Sequence, residues 1–542
     1  MAISSPVLPD KSAFFDHPIT RFAVRGHPIL WLTALTPAVL LAHGYHPYSE
    51  DAGIYVAGVR KLVDPALYQH DAAFVLANTR LSAFAHLLVA TLRITRVQLS
   101  YLLLLTHLAS IFAFLLACLL LARRIFKSPG AQWSTVVLAG ACFTLPVAGT
   151  SLMLMDPYVT ARSFSTPLGL FALVAAVHHR WTRTALFLLL TALMHPLMFI
   201  YAAALVLLFI LVDLDHTGAA WTFSVLGVFA SGAIYLVTLH SPEATAYREA
   251  VLSRSYLFLS QWAWFEYLGL AAPMLICVLV LHRLGRHTLS GKLSLASVML
   301  GAPSTVSAFL FVHPSGPYFL ARLQLLRSFH MIYLVAIVLL GGLLGDRFLD
   351  TRQSRSQPVA RWTALALLAA AAAFMFFTQR LTYPLSAHIE FPQVIPRNPW
   401  EQTFLWIRAN TPTNAVFAAD PDLVLQHGED GRGFRVMTER SLLGDYKDEG
   451  VVVVIPRLAT QWAREYDAQV GLDRMTDAER VARLQPLGVS WLLLASSATT
   501  SLPCPYSNGV SKVCELIPYG LRAYRISACA SEYTPSGQGS IR

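Results

Sequence analysis

Long apolar runs separated by short polar breaks fill the chain to residue 380, after which the pattern changes to shorter, mixed segments. A helical bilayer crossing takes about 20 apolar residues. Runs of that kind stand at 99–121, 133–152, 167–179, 221–239, 263–282, 292–312, 328–345 and 361–379. A shorter run, 28–42, is interrupted by Pro37 and follows the polar stretch 1–27. No small-residue cleavage site follows it, so it reads as a retained signal anchor.

Two segments are ambiguous. The first, 184–212, is too long for one ordinary crossing and carries His195-Pro196 near its middle. As a single helix it would put Arg283, Arg286 and Lys292 outside; two short helices meeting at His195 put them inside, as the bias of Lys and Arg toward cytoplasmic loops requires. The second, 81–94, is apolar but short, with Asn78, Arg80 and His86 nearby, and suits an interfacial helix. Counting it as a crossing would place Arg123, Arg124 and Lys127 outside. The pattern therefore predicts a polytopic α-helical membrane protein of about 11 spans. Residues 1–27 are expected in the cytoplasm, the spans within 28–380, and a long first exterior loop at 44–98.

From residue 381 to 542 the pattern predicts a small exterior α/β domain. Pro384, Pro392, Pro396 and Pro399 make an extended linker into it. Helices are expected at 399–409, 457–468 and 477–485. Strands are expected at 415–420, 433–438, 451–456 and 489–495, with a late pair at 512–517 and 521–526.

Composition agrees with the pattern. The chain has 542 residues, 55% hydrophobic and 13% charged, with a mean hydropathy of +0.52; a soluble domain carries about 25% charged residues. The net charge of +10 sits on residues between apolar runs, such as Arg123, Arg124, Lys127, Arg180, Arg183, Arg283, Arg286, Arg347, Arg352 and Arg355, which act as topology determinants. No basic run interleaves with aromatics on a soluble stretch, so nucleic acid is excluded as a partner. Cys118, Cys142 and Cys277 fall in apolar runs and read as inert. Cys504 and Cys514 flank the turn-rich PYSNG, and an exterior domain would let them form a disulfide, leaving Cys529 over.

The chemistry is expected on the exterior face. In YHPYSEDAGIYVAGVRKLVDPALYQHD (45–71), Glu50 and Asp51 stand side by side beyond the first apolar run. Charge beside hydrocarbon is costly unless it faces water or a cavity. Ile54, Tyr55, Gly58, Val59 and Leu62 share one helical face, predicting an amphipathic helix on the membrane surface that holds the pair at a cavity mouth. One carboxylate there could act as a general base toward a hydroxyl and the other orient a group or metal. The same residues also fit an ordinary helix start, with Ser49 or Asp51 as the cap. Asp64, His70 and Asp71 could join Asp51 around a divalent metal, although nothing requires one. No zinc-type cluster, GK[ST] loop or GxSxG elbow occurs.

An acidic pair after the first span, a long first loop with interfacial helices, about 11 spans and a C-terminal domain on the same side resemble the GT-C class of membrane glycosyltransferases. The resemblance implies a catalytic carboxylate in the first loop, here Asp51 with Glu50 beside it, Asp being the shorter and more rigidly placed. It further implies a polyprenyl-phosphate-linked sugar donor, a lipid, glycan or protein acceptor, and in some members a divalent metal. WIRANTPTNAVFAA (406–419) and GFRVMTERSLLGDYK (433–447) resemble exterior domains of bacterial membrane proteins, which points to a bacterial inner membrane.

Cations for a departing lipid phosphate are Arg162 in DPYVTARSFSTP (156–167) and Arg322 and Arg327 in YFLARLQLLRSFH (318–330). A guanidinium binds phosphate in bidentate fashion; the competing reading is snorkelling, or pairing of Arg162 with Asp156. Arg435, Arg440, Asp445 and Lys447 alternate with apolar residues and could line an anion or acceptor site, or be the charged edge of a solvated strand. His195 is either such a ligand or a satisfied residue at a kink. Besides a glycosyltransferase, a flippase for a lipid-linked glycan or a non-catalytic assembly protein would show many spans and membrane-depth charge. No internal repeat supports the flippase.

Overall fold

The structure is a computed structural model describing residues 27–241, 243–349 and 358–516. The expectations for Arg352, Arg355, strand 521–526, Cys529 and nearly all of segment 1–27 lie outside the described residues. Among the described residues, the helices of the membrane part include Pro28–His43, Leu99–Ile125, Pro129–Ala141, Ala161–Val177, Trp181–Met194, Pro196–Asp213, Thr217–Thr238, Trp264–Leu284, Leu289–Phe311, Phe329–Leu344 and Pro358–Thr382. Seven of the structure's helical stretches are long and apolar enough to cross a membrane, and eight if the bent pair Ala72–Leu81 and Phe84–Thr95 counts as one. Run 133–152 contributes a helix only to Ala141; beyond it the chain turns back on itself, with Val147 and Leu152 bonded across a bridge between Pro146 and Met153.

Connections gather at two ends of the bundle. At one end lie the short turns after Ile125, Val177, Asp213 and Leu284, tied by Asp213 to His179 (3.3 Å) and Lys292 (2.9 Å). The basic residues Arg123, Arg124, Lys127, Arg180, Arg183, Arg283 and Arg286 cluster there. The first loop, the turn at His195, the longer connections and the C-terminal domain share the other end. The amide of His46 there donates to Pro157, Ala83 to Leu193 and Tyr45 to His388.

Two local signals set the geometry there. Thr160 caps Ala161–Val177 in a reciprocal box with Ser163, satisfying donors that a helix start leaves free. His195 ends one helix and starts the next, its Nδ1 accepting from the Met198 amide at 3.4 Å while Pro196 occupies the first turn. Proline is tolerated there because that amide has no intrahelical partner.

The first-loop helix Asp51–Val63 does not lie on a surface as an amphipathic helix would. Ala52, Gly53, Val56, Ala57, Gly58, Val59 and Lys61 are all buried, because it is wedged between Phe84–Thr95 and the C-terminal domain. Val56, Val59, Tyr68, Phe84 and Leu88 share a core with Trp400, Phe404, Phe417, Phe434 and Trp491. The helix pair Ala72–Leu81 and Phe84–Thr95 bends by 93°.

The C-terminal domain carries a five-stranded sheet in the order β2-β1-β3-β5-β4, with β1 Val416–Ala418, β2 Ser441–Leu442, β3 Trp491–Ala495, β4 Tyr506–Ser507 and β5 Ser511–Glu515. β1 pairs parallel with β2 and β3, and β5 antiparallel with β3 and β4. The apolar run of β3 fills the centre, as a strand buried on both faces should. Pro399–Asn410, Ala459–Gln469 and Asp477–Leu484 stand where helices were expected, and Cys504 and Cys514 are joined by a disulfide.

Two expected strands are helices. Residues 434–438 form one helical turn, and VVVV falls in the helix Tyr446–Val454. Asp445 and Asp448 make a capping box that starts the second helix, and Val451, Val452 and Val453 pack on Tyr247, Val251 and Phe258 of the membrane part. Tertiary burial of this kind outweighs the β preference of valine.

Candidate active site

Glu50 sits at a left-handed φ of 53° as the residue before the helix, and neither it nor Ser49 makes a side-chain cap. Its amide donates to Gly431 at 2.6 Å and the amide of Gly433 donates to Tyr48 at 2.9 Å. A loop of the C-terminal domain thus holds the acidic pair. Asp51 turns away from its own helix: its Oδ2 lies 3.0 Å from the Arg162 guanidinium, and its side chain stays 38% exposed. Arg162 is itself 7% exposed and also pairs with Asp156 at 2.9 Å. Lys447 forms an ion pair with Glu50 and lies 4.0 Å from Asp51.

These groups line a cavity of about 870 Å³, in the size range of pockets that hold organic ligands. Arg254, Arg322, Arg327 and His195 reach the same cavity. Their states differ. Arg254 is 3.0 Å from Glu449 and stacks at 3.9 Å on Tyr446. Arg322 and Arg327 have no carboxylate partner among the described residues; they stack on Tyr247 (5.2 Å) and Tyr256 (5.6 Å), and the Nε of each has no hydrogen-bond partner. Apolar side chains including Leu152, Met194, Leu197, Ile200 and Val454 complete the wall.

Electrostatics fix the charge of the acid. Burial alone would raise the Asp51 carboxyl, but Arg162 and Lys447 outweigh it and hold it well below the usual carboxylate range. Burial pushes Asp156 the other way, against the pull of Arg162. Glu50 and Asp51 raise the Lys447 ammonium against its burial. Glu449 is pushed up to about 7 by burial, with Arg254 opposing.

Several expectations are corrected. Arg435 does not face the cavity; it is buried against Asp71 and Asp448 (2.7 Å), with Asp445 at 3.6 Å. Arg440 is consumed by carbonyls and hydroxyls of Arg408, Thr411 and Thr438. Neither lies in a strand: Arg435 is in the helical turn Phe434–Thr438, and Arg440 precedes β2. Asp71 is locked to Arg435 and Asp64 accepts from the Ala66 amide in its own loop, so neither joins Asp51. No group of three or more His, Cys, Asp or Glu side chains able to hold a metal occurs among the described residues. Arg162 stands in the first turn of a helix and not in a loop. Sequence reasoning missed Arg254, in SRSY of the connection 239–263, which carries no spacing that separates it from other loop arginines.

No family model matches the chain, and no curated protein matches it. Solved structures similar to it include an arabinofuranosyltransferase and archaeal oligosaccharyltransferases. Against the arabinofuranosyltransferase AftD from Mycobacteria the identity is 12% and the TM-score 0.44, over 87% of this chain and 35% of that one. An Archaeoglobus fulgidus oligosaccharyltransferase solved with zinc and sulfate gives 11% and 0.46, over 86% and 68%. The oligosaccharyltransferase AglB from Archaeoglobus fulgidus, with an inhibitory peptide and a dolichol-phosphate, gives 12% and 0.40, over 88% and 70%. The chain spans about a third of the length of AftD, 35%.

Proposed function

We propose that the protein transfers a sugar from a polyprenyl-phosphate-linked donor to a lipid, glycan or protein acceptor on the exterior face of a bacterial inner membrane. The observation that carries this is the meeting, in one cavity of about 870 Å³, of an ionised, part-exposed Asp51 with the guanidiniums of Arg322 and Arg327, which have no carboxylate partner among the described residues. In the reaction the acceptor oxygen bonds to the anomeric carbon and its proton passes to Asp51. The carbon–oxygen bond to phosphate breaks and its electron pair leaves on the phosphate, which Arg322 and Arg327 receive. A single displacement of this kind inverts the anomeric centre. Donor cations placed where charge develops are worth most in a site that excludes water.

The orientation follows from the basic end of the bundle, assigned to the cytoplasm on the positive-inside bias. The test is mass spectrometry of lipid-linked sugars and surface glycans in a deletion strain, complemented with wild type or Asp51→Asn. Accumulated donor and a missing glycan, restored by wild type only, is the expected result; an unchanged profile on deletion overturns the reading. Alkylation of the protein in intact cells, with and without reductant, checks the side of the membrane: Cys504 and Cys514 should be blocked until reduced.

A further inference from the structure

A second cavity, of about 890 Å³, lies where the linker 384–397 crosses from the last membrane helix to the C-terminal domain, and it shares no residue with the first. Its wall is two-sided in chemistry. Phe376, Phe391 and Ile395 supply an apolar part, with Phe391 53% and Ile395 84% exposed. Arg380, Arg397 and Arg408 supply the cationic part.

The carboxylates facing this cavity are already taken. Glu390 is bidentate to the fully buried Arg432 (2.5 and 2.6 Å), and Glu401 lies 3.4 Å from the same guanidinium. Arg408 is paired with Glu439 at 2.7 Å. Arg380 donates only to the carbonyl of Ser386 at 2.9 Å, and Arg397 has no polar partner among the described residues. His388, on the same wall, has a buried Nδ1 without a partner. The cavity therefore presents two guanidiniums without a carboxylate partner among the described residues, Arg380 in the last turn of the membrane helix and Arg397 near the end of the linker, on a wall shared with exposed apolar side chains.

We infer that this cavity binds an anionic phospholipid, its headgroup phosphate on Arg380 and Arg397 and its acyl chains along Phe376, Phe391 and Ile395. Charge complementarity favours an anion, and the apolar wall at the membrane boundary favours a lipid over a soluble one. The site is separate from the donor cavity, so it stands whether or not the protein transfers sugar. It would anchor the linker that carries the C-terminal domain.

The test is native mass spectrometry of the full chain in neutral detergent, offered phosphatidylglycerol, phosphatidylcholine or inorganic phosphate. Wild type should retain phosphatidylglycerol over phosphatidylcholine, and Arg397→Gln should cut that preference about fivefold, the value of one arginine near a membrane surface. Arg397 is exposed and unpartnered, so this variant keeps the fold; Arg380→Gln should add a similar loss, and Ile395→Ser should lower retention of both lipids. Equal retention of the two lipids, no effect of Arg397→Gln, or displacement of bound lipid by millimolar phosphate would each overturn the proposal.

Discussion

Gly53 of the first-loop helix and Gly433 of the C-terminal domain cross with no room for a side chain on either. A Cβ on Gly53 would stand 2.8 Å from the Gly433 Cα, and one on Gly433 would stand 2.6 Å from the Gly53 Cα. The neighbours in conflict are backbone, so the clash cannot be relieved by a rotamer. The contact adjoins the bond from the Gly433 amide to the Tyr48 carbonyl, next to the bond from the Glu50 amide to Gly431, so it presses the start of the Asp51 helix against the loop.

Gly433→Ala is expected to lose about 1–3 kcal/mol of stability, the usual cost of overpacking, and to lose transfer activity disproportionately, because the acidic pair shifts with the loop. Thermal unfolding of the purified protein measures the first effect and glycan complementation the second. A variant with wild-type stability and activity would show that the crossing does not position Asp51.

The sequence pattern made the helical bundle legible, including the break at His195, because hydrophobic run length is a local property. It also drew attention to Glu50, Asp51, Arg162, Arg322 and Arg327, all of which reach one cavity. What it could not convey was partnership. Arg435 and Lys447 look equivalent in GFRVMTERSLLGDYK, yet one neutralises buried Asp71 and Asp448 and the other reaches Glu50 across the domain boundary. Likewise VVVV reads as a strand until the membrane part is present to cover it. Such outcomes depend on contacts between segments hundreds of residues apart.

Asp51→Asn should lower the transfer rate by about 10²–10⁴, the range for loss of a general base, with donor affinity close to wild type. Arg162 keeps Asp156 as its partner in that variant, so the local fold is retained. Glu50→Gln should cost less, since it touches Lys447 and not Arg162. Single-turnover transfer with a purified donor separates the two, and equal losses would place the base function elsewhere.

Arg327→Gln should reduce kcat more than it raises KM, by about 10²–10³, as expected for a donor aimed at charge that develops in the transition state. Arg327→Lys should recover part of the rate, since charge survives while bidentate geometry is lost. A change confined to KM would instead assign Arg327 to ground-state binding of the donor.

The pH profile offers the sharpest check on the electrostatics. Asp51 is held below the usual carboxylate range, so its ion pairing stabilises the fold fully above the unfolded value of about 3.9 and is lost as pH falls through the folded value. Transfer by the wild type should accordingly show no acid limb from Asp51 between about pH 4 and 7. Lys447→Met removes one of the three cations that lower Asp51, Arg162 and Arg327 being the others, and leaves Glu50 unneutralised beside it, while burial still acts upward; the Asp51 carboxyl should move up, and any acid limb of transfer with it. Glu449, near 7, titrates in the same window, so the comparison belongs in a Glu449→Gln background. An anionic donor that draws Lys447 and Arg162 toward its phosphate would raise Asp51 in the same direction, making it a better base only when substrate is bound. If kcat/KM for the Lys447→Met variant follows the same acid limb as its parent, Lys447 does not set the charge of Asp51.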